Sequence, residues 1–388
     1  MLVERMRPFT STIFTEISRL AAETGAINLG QGFPDTDGPA SLLADAAANI
    51  TERGVNQYPP GPGAPSLRRA VADHQRRFYG LDVDPADVVV TTGATEAIAA
   101  TLLGLCEPGD EVVAFEPTYD SYAASVALAG ATLRPVTLHP PHFGFDDDEL
   151  AAAFSDRTRV VLVNTPHNPT GAVFTRAQLT RIGELAVAHD AVVVTDEVYE
   201  HMTFDDAEHI PMATLPVPGL AERTLTISSA GKTFSVTGWK VGWVHGPPEL
   251  VAAPRAVKQF LTFHGGAPLQ PAVANALALG DDFYATAAAD LTRKRDLLSA
   301  GLRSAGFDVL TARGTYFVVA DPRPLGFDDG VDLAWKLPEL CGVAAVPVSV
   351  FCQSAAAVAA TRPLVRFAFC KRDEVLAEAA DRLTGLRG

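Results

Sequence analysis

A chain of 388 residues that is 47% apolar and 20% charged has the material for two to three compact units, which excludes disorder or coiled coil as its dominant state. Area scaling predicts a folded surface of roughly 15,000 Å², with about three-quarters of the extended chain's surface buried. Thirty-one basic and 46 acidic residues leave a formal charge of −15, with no long basic stripe, so nucleic acid is not an expected partner.

From the N-terminus, residues 1–8 carry no apolar signal stretch and no later run reaches membrane-spanning length. A soluble, cytoplasmic protein without a membrane partner is expected. Tyr58-Pro59-Pro60-Gly61-Pro62-Gly63 reads as an exposed loop near a functional surface. Strands are predicted at 88–92, 111–115, 160–163, 191–195 and 224–228, with helices at 95–106 and 175–188 between them. Such runs, apolar on both faces and separated by helices, mean a parallel sheet covered on each side. After about residue 280 a long amphipathic helix (283–304) leads to strands at 307–310, 315–319 and 365–369 and a closing helix at 373–386, the texture of a smaller α+β unit. Cys106, Cys341, Cys352 and Cys370 form no C-x-x-C pair and fit thiols packed in a reducing interior.

Only six of the 31 basic residues are lysines, and none precedes Lys232. Gly231-Lys232-Thr233 imitates the end of a phosphate-binding P-loop, but that motif needs a glycine five positions before Gly231, where Thr226 stands. A surface lysine is the plain alternative. A lone lysine among small residues after a buried strand is also placed for a depressed pKa, and an unprotonated amine forms an imine with a carbonyl group such as that of pyridoxal phosphate. Asp196 closes the strand at 191–195, with Tyr199 three residues on. It is either a turn residue or an acid pointing into the crevice where parallel sheets bind ligands. Asn168, between Pro166 and Pro169, sits in a rigid turn after another strand. Gly93-Ala94-Thr95 opens a helix, whose free N–H groups form an anion site. Arg366 lies in an otherwise apolar strand, either at an edge or as a bidentate carboxylate clamp. Among the nine histidines there is no H-E-x-x-H, and neither His201 nor His209 has ligand-like company in the sequence, so no metal is expected.

Five motifs fall in order along the chain: Gly30-Gln31-Gly32-Phe33-Pro34-Asp35, Asn56-Gln57-Tyr58-Pro59, Asn168-Pro169-Thr170-Gly171, Asp196-Glu197-Val198-Tyr199 and Ser228-Ser229-Ala230-Gly231-Lys232. Together the chain resembles the fold-type I pyridoxal-phosphate aminotransferases of class I/II over nearly its whole length. The resemblance implies an α/β fold with a large domain at 42–275, whose mainly parallel seven-stranded sheet lies between helices. A smaller α+β domain would be formed by 1–41 and 276–388.

It also implies roles. Lys232 would hold pyridoxal 5'-phosphate as an imine and move the proton, Asp196 would pair with the pyridinium nitrogen, and Asn168 and Tyr199 would bond the phenolic oxygen. Tyr119 would stack on the ring. Gly93, Ala94, Thr95, Ser229 and Lys240 would cradle the phosphate, joined by Tyr58 of a neighbouring subunit in a homodimer. Arg366 would clamp the substrate carboxylate with Asn168 and the Gly32 backbone, beside a side-chain pocket of Phe14, Phe263 and His264. Many class I enzymes carry arginine where Lys240 stands. The lysine resembles the kynurenine/glutamine/methionine branch, and much of the remaining sequence resembles N-succinyldiaminopimelate aminotransferases. The implied reaction is ping-pong transfer from an amino acid to a 2-oxo acid such as 2-oxoglutarate. N-succinyl-LL-2,6-diaminopimelate is the preferred donor. The alternative is a kynurenine, glutamine or methionine donor with cysteine-conjugate β-lyase side activity. A cofactor-sensing regulator would need an attached DNA-binding domain, for which the early start of the resemblance leaves no expected room.

Overall fold

The β-branched runs assemble into one sheet of seven strands in a computed structural model that describes residues 2–10 and 12–387. Met1, Ser11 and Gly388, which the expected small domain includes, lie outside the described residues. The strands are β1 (Val88–Thr92), β2 (Glu111–Glu116), β3 (Thr132–Thr137), β4 (Thr158–Asn164), β5 (Val192–Asp196), β6 (Thr224–Ser229) and β7 (Val241–His245). Their order is β1-β7-β6-β5-β4-β2-β3. Only β7 runs against its neighbours. β3 carries Pro135, which an edge strand tolerates because one side of it needs no ladder donor.

The apolar runs lack polar alternation because both faces are covered. Val160, Leu162, Val192, Val194 and Ile227 pack against Ala97, Ile98 and Leu102 of the Gly93–Leu105 helix. Val161, Val163 and Val193 face Leu179 and Ile182 of the Arg176–Ala188 helix on the other side. Each such aliphatic side chain stabilises the fold by about 1.5–3 kcal/mol relative to exposure. Thr175 and Gln178 close a capping box at the start of the second helix, which is why it begins at Arg176.

A second, antiparallel sheet comprises β8 (Asp308–Val309), β9 (Phe317–Asp321), β10 (Val346–Pro347) and β11 (Val365–Ala368), in the order β10-β11-β9-β8. Val318, Ala320 and Phe367 pack against Leu298 and Leu302 of the Asp281–Ala305 helix and Leu376 and Leu383 of the Asp373–Thr384 helix. The two-residue strand Ile27–Asn28 pairs with Val343–Ala344, tying the N-terminal segment to this part of the chain.

Two expectations shift. The strand expected at 315–319 starts at Phe317 because Thr315 has φ +67° and donates its N–H to the Met202 carbonyl, outside any ladder. Arg366 is not on an edge: β11 lies between β10 and β9, and the side chain is 1% exposed. The accessible surface of the chain, 15,435 Å², agrees with the scaling expectation.

Candidate active site

Parallel strands all end at one edge of a sheet, and the antiparallel β7 begins there. That topology gathers residues far apart in sequence. Gly93, Ala94 and Thr95 follow β1, Tyr119 follows β2, and Asn164 closes β4 with Asn168 just beyond. Asp196 closes β5, Ser229 closes β6 with Lys232 three residues on, and Lys240 immediately precedes β7. All of them, with Tyr199, line one crevice. The adjoining pocket shares Tyr119, Asn168, Tyr199 and Lys232 and adds Phe14, Gly32, Phe317 and Arg366.

One end of the crevice is built for an anion. The Gly93–Leu105 helix points its first N–H groups into it, and Lys240 places Nζ 3.2 Å from Thr95 Oγ1. Gly93 takes φ +71°, and a Cβ there would lie 3.0 Å from Lys240 Nζ. A Cβ on Gly242 would come within 2.5 Å of the Gly93 carbonyl carbon, so glycine at both positions lets β7 and the helix start approach closely.

Asp196 is buried, and that burial raises its pKa to about 6. The Tyr122 hydroxyl opposes the rise by donating to Oδ2 at 2.7 Å. Lys232 Nζ donates to the Tyr316 hydroxyl at 2.8 Å, and that hydroxyl donates onward to the Gly32 carbonyl at 2.5 Å. Burial lowers the Lys232 pKa to about 8, so near neutrality a usable fraction of the amine carries a free lone pair.

Arg366 donates from Nη1 to Asn168 Oδ1 at 2.9 Å and from Nη2 to the Gly30 carbonyl at 2.7 Å, while its Nε has no partner. Its guanidinium lies 3.9 Å from the Phe317 ring centroid and 5.3 Å from that of Phe14. Burial lowers its pKa to about 10, which still leaves it charged. Among the described residues, neither Lys232, Lys240 nor Arg366 makes an ion pair. A buried Arg366, a half-buried Lys232 and an exposed Lys240, none paired with a carboxylate, are the arrangement of a site whose anions arrive with a ligand.

Three of the predicted residues are elsewhere. Tyr58 is 80% exposed and makes edge contacts with Phe263 and His264, at 5.5 and 4.8 Å between ring centroids. None of the three lines the crevice of its own chain. Two contributors were missed. Tyr122 lies one helical turn after Tyr119, which is a signal in hindsight. Tyr316 was read only as part of a strand, and nothing local marks it. The expectation for the histidines is also corrected. His209 Nε2 lies 2.9 Å from Glu197 Oε2, and His201 meets His74 and Glu200, because folding supplies company the sequence does not show.

The mainly parallel sheet, the second α+β layer and a lysine facing an aspartate across the crevice are those of a fold-type I transferase. The chain belongs to the family "Aminotransferase class I and II", which it matches over residues 24–383, and it is a transaminase. It is 54% identical to the probable N-succinyldiaminopimelate aminotransferase DapC of Mycobacterium tuberculosis, covering 100% of this chain and 98% of that one. The methionine aminotransferase of Escherichia coli is 41% identical, over 97% and 96% of the two chains. The solved structure of N-succinyldiaminopimelate aminotransferase from Mycobacterium tuberculosis superposes with a TM-score of 0.96 at 54% identity, covering 100% of both chains. No described helix is long and apolar enough to cross a membrane.

Proposed function

We propose that this transaminase uses pyridoxal 5'-phosphate to move the amino group of N-succinyl-LL-2,6-diaminopimelate to a 2-oxo acid, 2-oxoglutarate being the acceptor, in lysine biosynthesis. One observation carries the chemistry: a half-buried lysine, a buried aspartate and a buried arginine without ion pairs line one continuous crevice. The full-length 54% identity to a probable N-succinyldiaminopimelate aminotransferase supports the donor.

The residues present suit the cofactor. Ala94 and Thr95 N–H, Ser229 and Lys240 would hold its phosphate, Asp196 its ring nitrogen, Tyr199 and Asn168 its phenolic oxygen, and Tyr119 its ring face. When bound, pyridoxal phosphate supplies a carbonyl carbon for the amine and a ring that accepts the electron pair left by the Cα proton. Asp196, mostly ionised at neutral pH, would keep the ring nitrogen protonated. Lys232 would anchor the cofactor through its amine and, when free, would take the Cα proton on Nζ, with Tyr316 holding it in position. Arg366 orients the donor by its α-carboxylate, and Asn168 and Gly30 hold the guanidinium in that plane. Phe14 and Phe317 exclude water around that ion pair.

A large domain at 42–275 and a small one of 1–41 with 276–388 are part of this reading, supported by the separation of the seven-stranded and four-stranded sheets along the chain. A homodimer is part of this reading, in which Tyr58, Phe263 and His264 serve the neighbouring site. The exposure of Tyr58 and Phe263, with Phe260 at 85% and Leu261 at 52%, leaves an apolar patch to be covered. The net charge and the thiol pattern fit a cytoplasmic protein. Single amino donors added to the cofactor-loaded protein, without oxo acid, test the reading through the visible absorption band. N-succinyldiaminopimelate should convert the band at a lower concentration than kynurenine, glutamine, methionine or a cysteine conjugate. Conversion by one of those at lower concentration would overturn the donor; no cofactor band at all would overturn the chemistry.

A further inference from the structure

Four residues past Asp196, the same segment turns a second carboxylate away from the crevice, into a separate cavity of about 570 Å³. Glu200, 5% exposed, accepts from Ser228 Oγ at 2.7 Å through Oε1. The buried Tyr79 hydroxyl also faces it, yet Oε2 has no hydrogen bond in standard geometry. His201 is half-buried beside it, and His74, 2% exposed on the Pro65–Tyr79 helix, brings Nε2 to 2.7 Å from His201 Nε2. One ligand-capable atom from each of His74, Glu200 and His201 falls within 4.8 Å of the other two.

Nearby Glu197 shows how the molecule satisfies a buried carboxylate. His209 places Nε2 2.9 Å from its Oε2. Among the described residues Glu200 makes no salt bridge of that kind: Ser228 holds its Oε1, and its Oε2 is buried without a hydrogen-bond partner. That free carboxylate oxygen and two imidazoles converge beside the cavity, which is a donor set that ligates a cation.

We propose that His74, His201 and Glu200 form a divalent transition-metal site, with zinc the ion that two imidazoles and one carboxylate suit, and the fourth position open to water from the adjoining cavity. The two Nε2 atoms move apart by a fraction of an ångström to accept the ion. The ring that carried the shared Nε2 proton keeps it on Nδ1; His74 Nδ1 is unpartnered and free to hold it. The ion then ties the Pro65–Tyr79 helix to the segment that carries Asp196 and Tyr199.

The test is cobalt(II) titration of chelator-treated protein carrying its cofactor, followed by d–d absorption, with zinc competition and thermal unfolding alongside. One cobalt per chain should bind, zinc should displace it, and zinc should raise the unfolding midpoint. His74→Asn, His201→Asn and Glu200→Gln should each weaken binding by at least about tenfold while the cofactor band persists. His201 is partly exposed, so its variant remains informative if the buried His74 variant misfolds. Absence of saturable binding up to about millimolar metal, or binding that survives the His201→Asn and Glu200→Gln substitutions, would overturn the proposal. Binding abolished by Lys232→Ala would place the ion in the crevice and also overturn it.

Discussion

The crevice and the aromatic patch around Tyr58 are built on opposite terms. In the crevice, half-buried Lys232 and buried Arg366 are held by neutral groups: a tyrosine hydroxyl, an asparagine carbonyl and a backbone carbonyl. The polarity is fixed before any ligand arrives, and only the counter-charges are missing. In the patch, Tyr58 at 80% exposure touches Phe263 and His264 and leaves most of its surface to solvent. It is apolar surface without a cover. The chain thus gathers its charged groups in one place and exposes an apolar patch in another.

If the charged groups of the crevice carry the chemistry, they control the largest effects. Lys232→Ala should lower turnover by at least about 10⁴-fold, since it removes both the covalent anchor and the group that moves the proton. The cofactor should still bind through the phosphate and ring contacts. Steady-state rates and the visible spectrum check both halves, and wild-type turnover would remove Lys232 from its role. In the wild-type chain, cofactor capture should quicken as pH rises toward about 8 and level above it, because a lowered pKa leaves the neutral amine on the alkaline side. Asp196→Ala should cost about 10³-fold in the first half-reaction. Tyr122→Phe should act more gently. It removes a hydrogen bond that holds the Asp196 pKa down, so the acid limb of the rate profile should move upward from about 6. An unmoved limb would mean that Asp196 does not set it.

The crevice side of this contrast was largely legible in the sequence. Strand ends are marked by where β-branched runs stop, so Asp196, Asn168 and Gly93 could be placed at one edge before any coordinates. Lys240 was placed by resemblance, and the antiparallel β7 explains why a residue before a strand joins residues after strands. What stayed hidden depends on packing between distant segments. Tyr316 reaches Lys232 across 84 residues and His74 reaches His201 across 127, and no periodicity encodes either contact. Thr315 escaped because its positive φ goes with a β-branched residue, against the usual preference.

Arg366 belongs to the crevice side of the contrast, where it lines the adjoining pocket with Phe14 and Phe317. Arg366→Ala should raise KM about 10- to 100-fold for every α-amino donor, the loss of charge-assisted hydrogen bonds worth about 1.5–3 kcal/mol. The α-carboxylate is common to all donors, so the penalty should not depend on side chain. An effect confined to one donor would mean that Arg366 reads a distal group instead.

The smallest effect separates the two regions most directly. Tyr58→Phe should weaken cofactor binding only about tenfold, the worth of one hydrogen bond to a charged phosphate. Its direction across the subunit boundary is tested with hybrids of Lys232→Ala and Tyr58→Phe chains. In a dimer with shared sites, one site of each hybrid combines an intact Lys232 with an intact Tyr58 from the other chain. The second site lacks both. Hybrids should therefore bind one cofactor as tightly as the wild type and regain half its activity at limiting cofactor. If Tyr58 served its own chain, the sole site with Lys232 would lack the hydroxyl and the tight-binding fraction would vanish. That outcome would break the division between a crevice whose charged groups come from one chain and a patch that serves its neighbour.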